Sequence, residues 1–252
     1  MSRLRDVLPS VLTSLGLSSA LASVLCASRN QLEWAAWLIL WSALLDKVDG
    51  AMAKKLDAAS RFGAELDSLA DFISFGLAPA FLVLTAALER ARLDLSSLAG
   101  AASLVAVWFY VLTTAIRLAR FNVTEHPPGE RYFQGVPTTS CGILVGAGLA
   151  VFFKHRLPDQ WLLYAPFALL FMGLAMVSRL PVPKFVKRRN RLLEWLQKIN
   201  LVVLPVLCFG RLYPEYILAL IIIYLLVGVS HGLLQRRREE VAKAIDTRAS
   251  GC

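Results

Sequence analysis

Eight apolar runs of about membrane length constrain this chain before anything else does. They fall at roughly 8–27, 31–55, 63–88, 98–120, 137–153, 159–178, 199–211 and 214–234. A hydrocarbon core about 30 Å thick takes about 20 apolar residues per helix. Inside it each backbone N–H and C=O must find its partner within the segment, which selects helices. The expectation is an all-α polytopic membrane bundle of six core transmembrane helices plus about two C-terminal ones. The seventh run is short and carries Pro205, so it is the weakest span. Residues 1–234 read as one membrane domain. Residues 235–252 read as a basic cytoplasmic tail, polar enough to leave the bilayer.

Charge orients the bundle. The net charge is +9, from 27 Lys and Arg against 18 Asp and Glu. In a soluble domain this balance would raise nucleic acid as a partner. Here the basic residues cluster between apolar runs, where membrane topology and anionic lipid account for them, and no nucleic acid is expected. With eight spans and the N-terminus inside, 21 Lys and Arg fall in inside segments and 6 outside. Both termini are therefore expected in the cytoplasm, and so are the inner ends of spans two and three. Arg3 and Arg5 before an apolar run resemble a signal peptide, but Leu25 before Cys26 suits neither cleavage nor lipidation, so a retained helix is expected. Cys26, Cys141, Cys208 and Cys252 have no metal or disulfide spacing and read as small hydrophobes. His126, His155 and His231 are scattered and read as loop or interfacial residues.

Those inner ends carry four carboxylates, at Asp46-x-x-Asp49-Gly50 and Gly63-x-x-x-Asp67-x-x-x-Asp71. Carboxylates at membrane depth are costly and mark function by default. Steps of three and four residues place each pair on one helix face. A short connection makes the two helices antiparallel neighbours whose pairs face each other. Two facing pairs form a cage of hard oxygen ligands that suits one or two Mg²⁺ or Mn²⁺ ions and, with them, phosphoryl chemistry. Gly50 and Gly63 leave room for a nucleotide or its diphosphate near the backbone, and Ala53 keeps the same face shallow. The competing reading, aspartates paired with Lys47, Lys54, Lys55 or Arg61 as structural ion pairs, does not explain why four acids stand at membrane depth.

The full pattern, Asp46-x-x-Asp49-Gly50-x-x-Ala53-Lys54, eight residues, Gly63-x-x-x-Asp67-x-x-x-Asp71, resembles the signature of the CDP-alcohol phosphotransferase family. One fixed position departs: Lys54 stands where that family has arginine, which keeps the charge and forfeits bidentate phosphate contact. The resemblance implies attack of an alcohol hydroxyl on the phosphorus next to the lipid of a CDP-alcohol, with loss of CMP. It implies Asp46, Asp49 and Asp67 as metal ligands and Asp71 as general base, touching the second metal as well. Gly50, Ala53, Lys54 and Gly63 would line the nucleotide site. A homodimer is implied by the resemblance alone. The small residues Gly16, Ser18, Ser19 and Ala20 suit close helix packing, internal or between copies.

Within that family, Arg61 to Ala80, Arg117-Leu-Ala-Arg-Phe-Asn122, Phe133-Gln-Gly-Val-Pro137 and Met176-Val-Ser-Arg179 look like the phosphatidylserine synthase branch. That branch implies CDP-diacylglycerol and L-serine as substrates, in a bacterial inner membrane. Serine needs a cation for its carboxylate and acceptors for its ammonium, and Arg117, Arg120 and Asn122 at the end of span four are the candidates. Ser68 and Ser74 read as helix contacts. Trp34, Trp37, Trp41 and Trp108 read as interfacial or lipid-facing anchors, and no aromatic box for choline is visible. Two alternatives stand: the same chemistry on glycerol phosphate, inositol phosphate, inositol or choline, and a transporter using intramembrane carboxylates.

Overall fold

The computed structural model describes residues 2–56, 61–124, 132–183 and 191–249. Among them the chain is helical: α1 Ser2–Ser28, α2 Leu32–Leu56, α3 Arg61–Asp71, α4 Ala78–Glu89, α5 Leu98–Val123, α6 Thr138–Lys154, α7 Ala165–Val177, α8 Arg191–Gly210 and α9 Pro214–Ala249. A helix thus stands at each of the eight apolar runs, as expected. A feature the sequence did not announce is a small antiparallel ribbon, β1 Tyr132–Gln134 with β2 Pro181–Pro183, in which Phe133 faces Val182.

Among the described residues five helices are long and apolar enough to cross a membrane: Pro9–Ser28, Phe62–Glu89, Leu98–Val123, Asp159–Val177 and Pro214–Gln235. α6 is shorter but apolar. α2 is 25 residues long, and what sets it apart is the charged Asp46, Lys47 and Asp49 inside the run. The outer face of α5 shows what surrounds the bundle. Val105, Trp108, Leu112 and Ile116 lie on one stripe and are exposed, while Tyr110, Thr114 and Arg117 are buried. An apolar stripe on the outside of a packed bundle faces lipid.

Contacts between helix ends define two ends of the molecule. At one, Glu33 meets Arg211 at 2.7 Å, Arg90 meets Asp159 at 3.6 Å and Lys154 meets Glu215 at 2.7 Å. The other holds the aspartates, the C-terminal turn of α5 and the ribbon. α9 starts beside Lys154 and reaches the ribbon at Gly232, where an added Cβ would stand 2.2 Å from the Pro181 carbonyl oxygen. The chain therefore passes from one end to the other between Pro183 and Arg211, and α9 returns. Its last residues leave at the aspartate end. They continue the helix to Ala249 rather than ending it near Gln235.

The first two helices are joined by a polar seam. Ser19 Oγ donates to the Leu38 carbonyl at 2.9 Å, Ser23 Oγ to the Ala35 carbonyl at 2.8 Å and Ser42 Oγ lies 3.0 Å from the Gly16 carbonyl. In lipid such hydrogen bonds and small residues hold helices where the hydrophobic effect cannot. Gly16, Ser19 and Ala20 are thus used inside the protomer, while Ser18 points outward and bonds its own helix at Ser14.

α3 and α4 form one rod joined by a π-helical turn, Phe72–Leu77. Its cause is legible. Pro79 has no N–H to give the carbonyl four residues back, and its ring crowds that carbonyl. The carbonyl belongs to Phe75, and the Tyr110 hydroxyl of α5 donates to it at 2.6 Å. α6 closes over the same turn at Gly142, where a Cβ would stand 2.6 Å from Phe75 Cδ1 and 3.1 Å from its Cα. Any side chain there would push α6 off the turn that follows Asp71.

Two tryptophan expectations are overturned. Trp37 is 2% exposed and belongs to the core. Trp41 is half-buried, and its Nε1 donates to the Cys208 carbonyl of α8 at 2.6 Å. Both rings are needed to fill helix–helix space. Trp108, 75% exposed, faces outward as expected, and Trp34 is exposed beneath the Arg211 guanidinium, 3.9 Å from its ring centre. Cys26, Cys141 and Cys208 are free thiols.

Candidate active site

Three carboxylates converge. Asp46, Asp49 and Asp67 each offer an oxygen within 4.8 Å of the others. Asp49 is buried and the other two are half-buried. Asp71, one turn beyond Asp67, makes a side-chain hydrogen bond with Asp46 and stands beside this group rather than in it. Acidic groups this close repel unless a cation or a proton lies between them. The donor set is all hard oxygen, as a divalent cation requires. The cavity between the acids measures about 10 Å³, room for one water-sized particle. The residues present fit a divalent metal.

The expected pairing of helices needs one correction. α3 does not lie flat against α2. The N-terminal half of α1 packs on both, and Thr13, Gly16 and Leu17 complete the wall of the acidic cavity with Ser42, Ala70, Ser74 and Phe75. Thr13 Oγ1 is 2.7 Å from Asp49 Oδ2. The sequence pattern did not reveal this residue, because nothing local ties a threonine in the first helix to an aspartate 36 positions on. Ser74 Oγ lies 2.8 Å from Ser42 Oγ, a helix contact as expected.

Gly50 is exposed on the turn after Asp49, and a Cβ there would meet no atom within 4 Å. Packing of the described chain does not require glycine at this position. Gly63 is half-buried on the first turns of α3. Ala53 and Lys54 continue α2 past Gly50, but their side chains lie outside the described residues. So does most of the basic stretch from Lys184 to Lys198.

The three acceptor candidates have different surroundings. Arg117 is 7% exposed. Its Nη1 donates to Thr138 Oγ1 at 3.2 Å, its charge is felt by Asp71, and its Nε has no partner among the described residues. Arg117 is thus a buried guanidinium with one N–H left over, an uncommon state for a buried polar group. Arg120 is engaged elsewhere. Its Nη1 lies 3.2 Å from the Val177 carbonyl, and its Nη2 lies 3.3 Å from that of Gln134 and 3.4 Å from that of Met176. It clips the C-terminus of α7 to β1. Asn122 is exposed, and its Nδ2 donates to Ser68 Oγ at 3.0 Å, tying α5 to the turn of α3 that carries Asp67.

The clip explains why three separate motifs belong together. Arg117–Asn122, Phe133–Pro137 and Met176–Arg179 meet around it. Gly135, at φ +81°, donates to the Leu180 carbonyl at 2.8 Å, and Val136 N–H donates to that of Ala175 at 3.1 Å. Pro137 then starts α6, placing Thr138 on Arg117. Replacing Arg120 by Ala is expected to lower stability by about 1.5–3 kcal/mol, the range for hydrogen bonds made by a charged group, read by thermal unfolding of solubilised protein. A raised KM for the acceptor at unchanged stability would instead show Arg120 binding substrate.

Comparison with known proteins agrees with this geometry. Residues 6–180 match the CDP-alcohol phosphatidyltransferase family. The chain is 30% identical over 231 residues to a CDP-diacylglycerol–serine O-phosphatidyltransferase of Helicobacter pylori, covering 89% of this chain and 90% of the relative. It is 31% identical over 193 residues to the protein of the same description in Methanocaldococcus jannaschii, covering 76% and 81%. An archaetidylserine synthase of Methanothermobacter thermautotrophicus is 31% identical over 179 residues, 70% of each chain. With its acidic signature converged in space and the match running through most of the membrane bundle, the chain belongs to the CDP-alcohol phosphatidyltransferase family.

Proposed function

We propose that this integral membrane protein transfers a phosphatidyl group from CDP-diacylglycerol to the hydroxyl of L-serine, releasing CMP and forming phosphatidylserine. The convergence of Asp46, Asp49 and Asp67 beside Asp71 and a buried Arg117 carries the reading. The relatives described as serine phosphatidyltransferases support the choice of acceptor.

Asp46, Asp49 and Asp67 would hold one or two Mg²⁺ or Mn²⁺ ions, with Asp71 at the edge of that set. Bound there, a divalent cation neutralises charge on the diphosphate. Gly50 and Gly63, with Ala53 and Lys54, admit and line the nucleotide. Arg117 takes the serine carboxylate, and Arg120 and Asn122 hold the wall around it. Asp71 accepts the hydroxyl proton as the serine oxygen bonds to phosphorus. The phosphorus–oxygen bond to CMP breaks, and CMP leaves with the electron pair. A general base must lie within hydrogen-bond reach of its proton, and Asp71 is near both Asp46 and the Arg117 charge.

The excess of Lys and Arg in the sequence segments expected on the same side as the aspartates supports a site at the cytoplasmic face, and a bacterial inner membrane rests on the family resemblance. The homodimer rests on family resemblance alone.

The test is CMP release by purified protein from CDP-diacylglycerol with Mn²⁺ or Mg²⁺, comparing serine, inositol, choline, glycerol phosphate, inositol phosphate and no acceptor. Release with serine alone, abolished by chelator, is expected. Release with another alcohol would overturn the acceptor, and release with none would overturn the enzyme.

A further inference from the structure

The hydroxyl of Thr13 is the one polar group that α1 brings to the acidic cluster among the described residues. The side chain is 8% exposed. Its Oγ1 lies 2.7 Å from Asp49 Oδ2 and 3.0 Å from the carbonyl oxygen of Pro9. A threonine hydroxyl has one proton to give. An aspartate that binds a cation is ionised and can only accept, so the short contact to Asp49 requires the proton to point there. Bonds to a charged acceptor are also the stronger and shorter ones.

We infer that Thr13 is a positioning residue for the metal site: it occupies one oxygen of Asp49 and turns the other toward the space shared with Asp46 and Asp67. The inference rests on the metal reading above and goes beyond its set of ligands. Three features support it. First, Asp49 is 4% exposed, and its carboxylate is held by two donors, the Thr13 hydroxyl and the Gly50 backbone N–H, of which Thr13 is the one that comes from another helix. Second, the seam of Ser19, Ser23 and Ser42 sets the register of α1 on α2. A slide by one helical turn, about 5.4 Å, would take Thr13 off Asp49. Third, among the described residues α1 contributes no acid to the cavity it walls, and Thr13 is its polar side chain there. Groups that hydrogen-bond metal ligands set the orientation of those ligands.

The test compares wild type, Thr13→Val and Thr13→Ser by titrating the purified, solubilised full chain with Mn²⁺ and following free Mn²⁺ by electron paramagnetic resonance. Valine keeps the shape and removes the donor; serine keeps the donor. Loss of such a partner typically weakens metal binding by about 10- to 100-fold. The expected result is a Kd for Mn²⁺ raised by about that factor in Thr13→Val and restored in Thr13→Ser, with thermal unfolding of the metal-free proteins unchanged. Equal Mn²⁺ affinity in wild type and Thr13→Val would overturn the inference alone. Weakened binding in both variants would overturn it as well, since packing and not the hydroxyl would then be at work. No Mn²⁺ binding by the wild type would overturn the metal reading, and this inference with it.

Discussion

Asp71→Asn is expected to abolish most turnover while leaving the protein folded and able to bind Mn²⁺ and CMP. A positioned general base contributes about 10²- to 10⁴-fold to rate, so kcat should fall by that factor. Asparagine has nearly the same shape and can donate to Asp46, the partner Asp71 has in the structure. It also removes one negative charge from a crowded acidic group, so unfolding temperature should hold or rise. The three converging carboxylates of Asp46, Asp49 and Asp67 stay intact. The discriminating measurements are single-turnover CMP release and Mn²⁺ binding on the same preparation. Loss of both would make Asp71 primarily a metal ligand. Retained turnover would remove it from the chemistry.

The second large effect is expected at Arg117. Its guanidinium is buried, spends one donor on Thr138 and leaves Nε without a partner among the described residues. Arg117→Lys keeps a positive charge and loses the planar fork that grips a carboxylate through two bonds. Removing a hydrogen bond to a charged group costs about 1.5–3 kcal/mol, and each 1.4 kcal/mol is tenfold. KM for serine should therefore rise by about 10- to 100-fold, with KM for CDP-diacylglycerol unchanged. An arginine that only marked the membrane boundary would leave both constants where they were. The two arginines one turn apart are thus predicted to fail differently: Arg117→Lys in substrate affinity, Arg120→Ala in stability.

How much of this was legible before the structure depends on the range over which each feature acts. The spans were readable because a bilayer demands a fixed length of apolar helix. The acidic cluster was readable because its spacing of three, four and eight-residue steps is local, and the resemblance rests on the same residues. The π-helical turn could have been suspected from Pro79, which leaves the Phe75 carbonyl short of a donor, but its partner Tyr110 lies 35 positions away.

Contacts between distant segments left no periodic trace. Thr13 looked like any threonine in a first helix. Arg120 and Arg117 share a helix face in the sequence, and only the ribbon and the end of α7, which meet at Arg120, separate their roles. Trp37 and Trp41 resembled interfacial anchors because tryptophan in a membrane protein so often is one. What buries them is α2 lying inside the bundle, with α8 reaching Trp41 through the Cys208 carbonyl. The small residues of α1 fitted an internal or a dimer contact equally well, until the hydrogen bond to the Leu38 carbonyl assigned Ser19 to α2.

The central claim is that Asp46, Asp49 and Asp67 form a divalent metal site next to Asp71. The most direct measurement is anomalous diffraction at the manganese edge from crystals grown with Mn²⁺ and a CDP-alcohol. One or two peaks enclosed by those three carboxylates, absent after soaking in chelator, are the predicted result. Peaks elsewhere, or none there while the same protein still turns over, would contradict it.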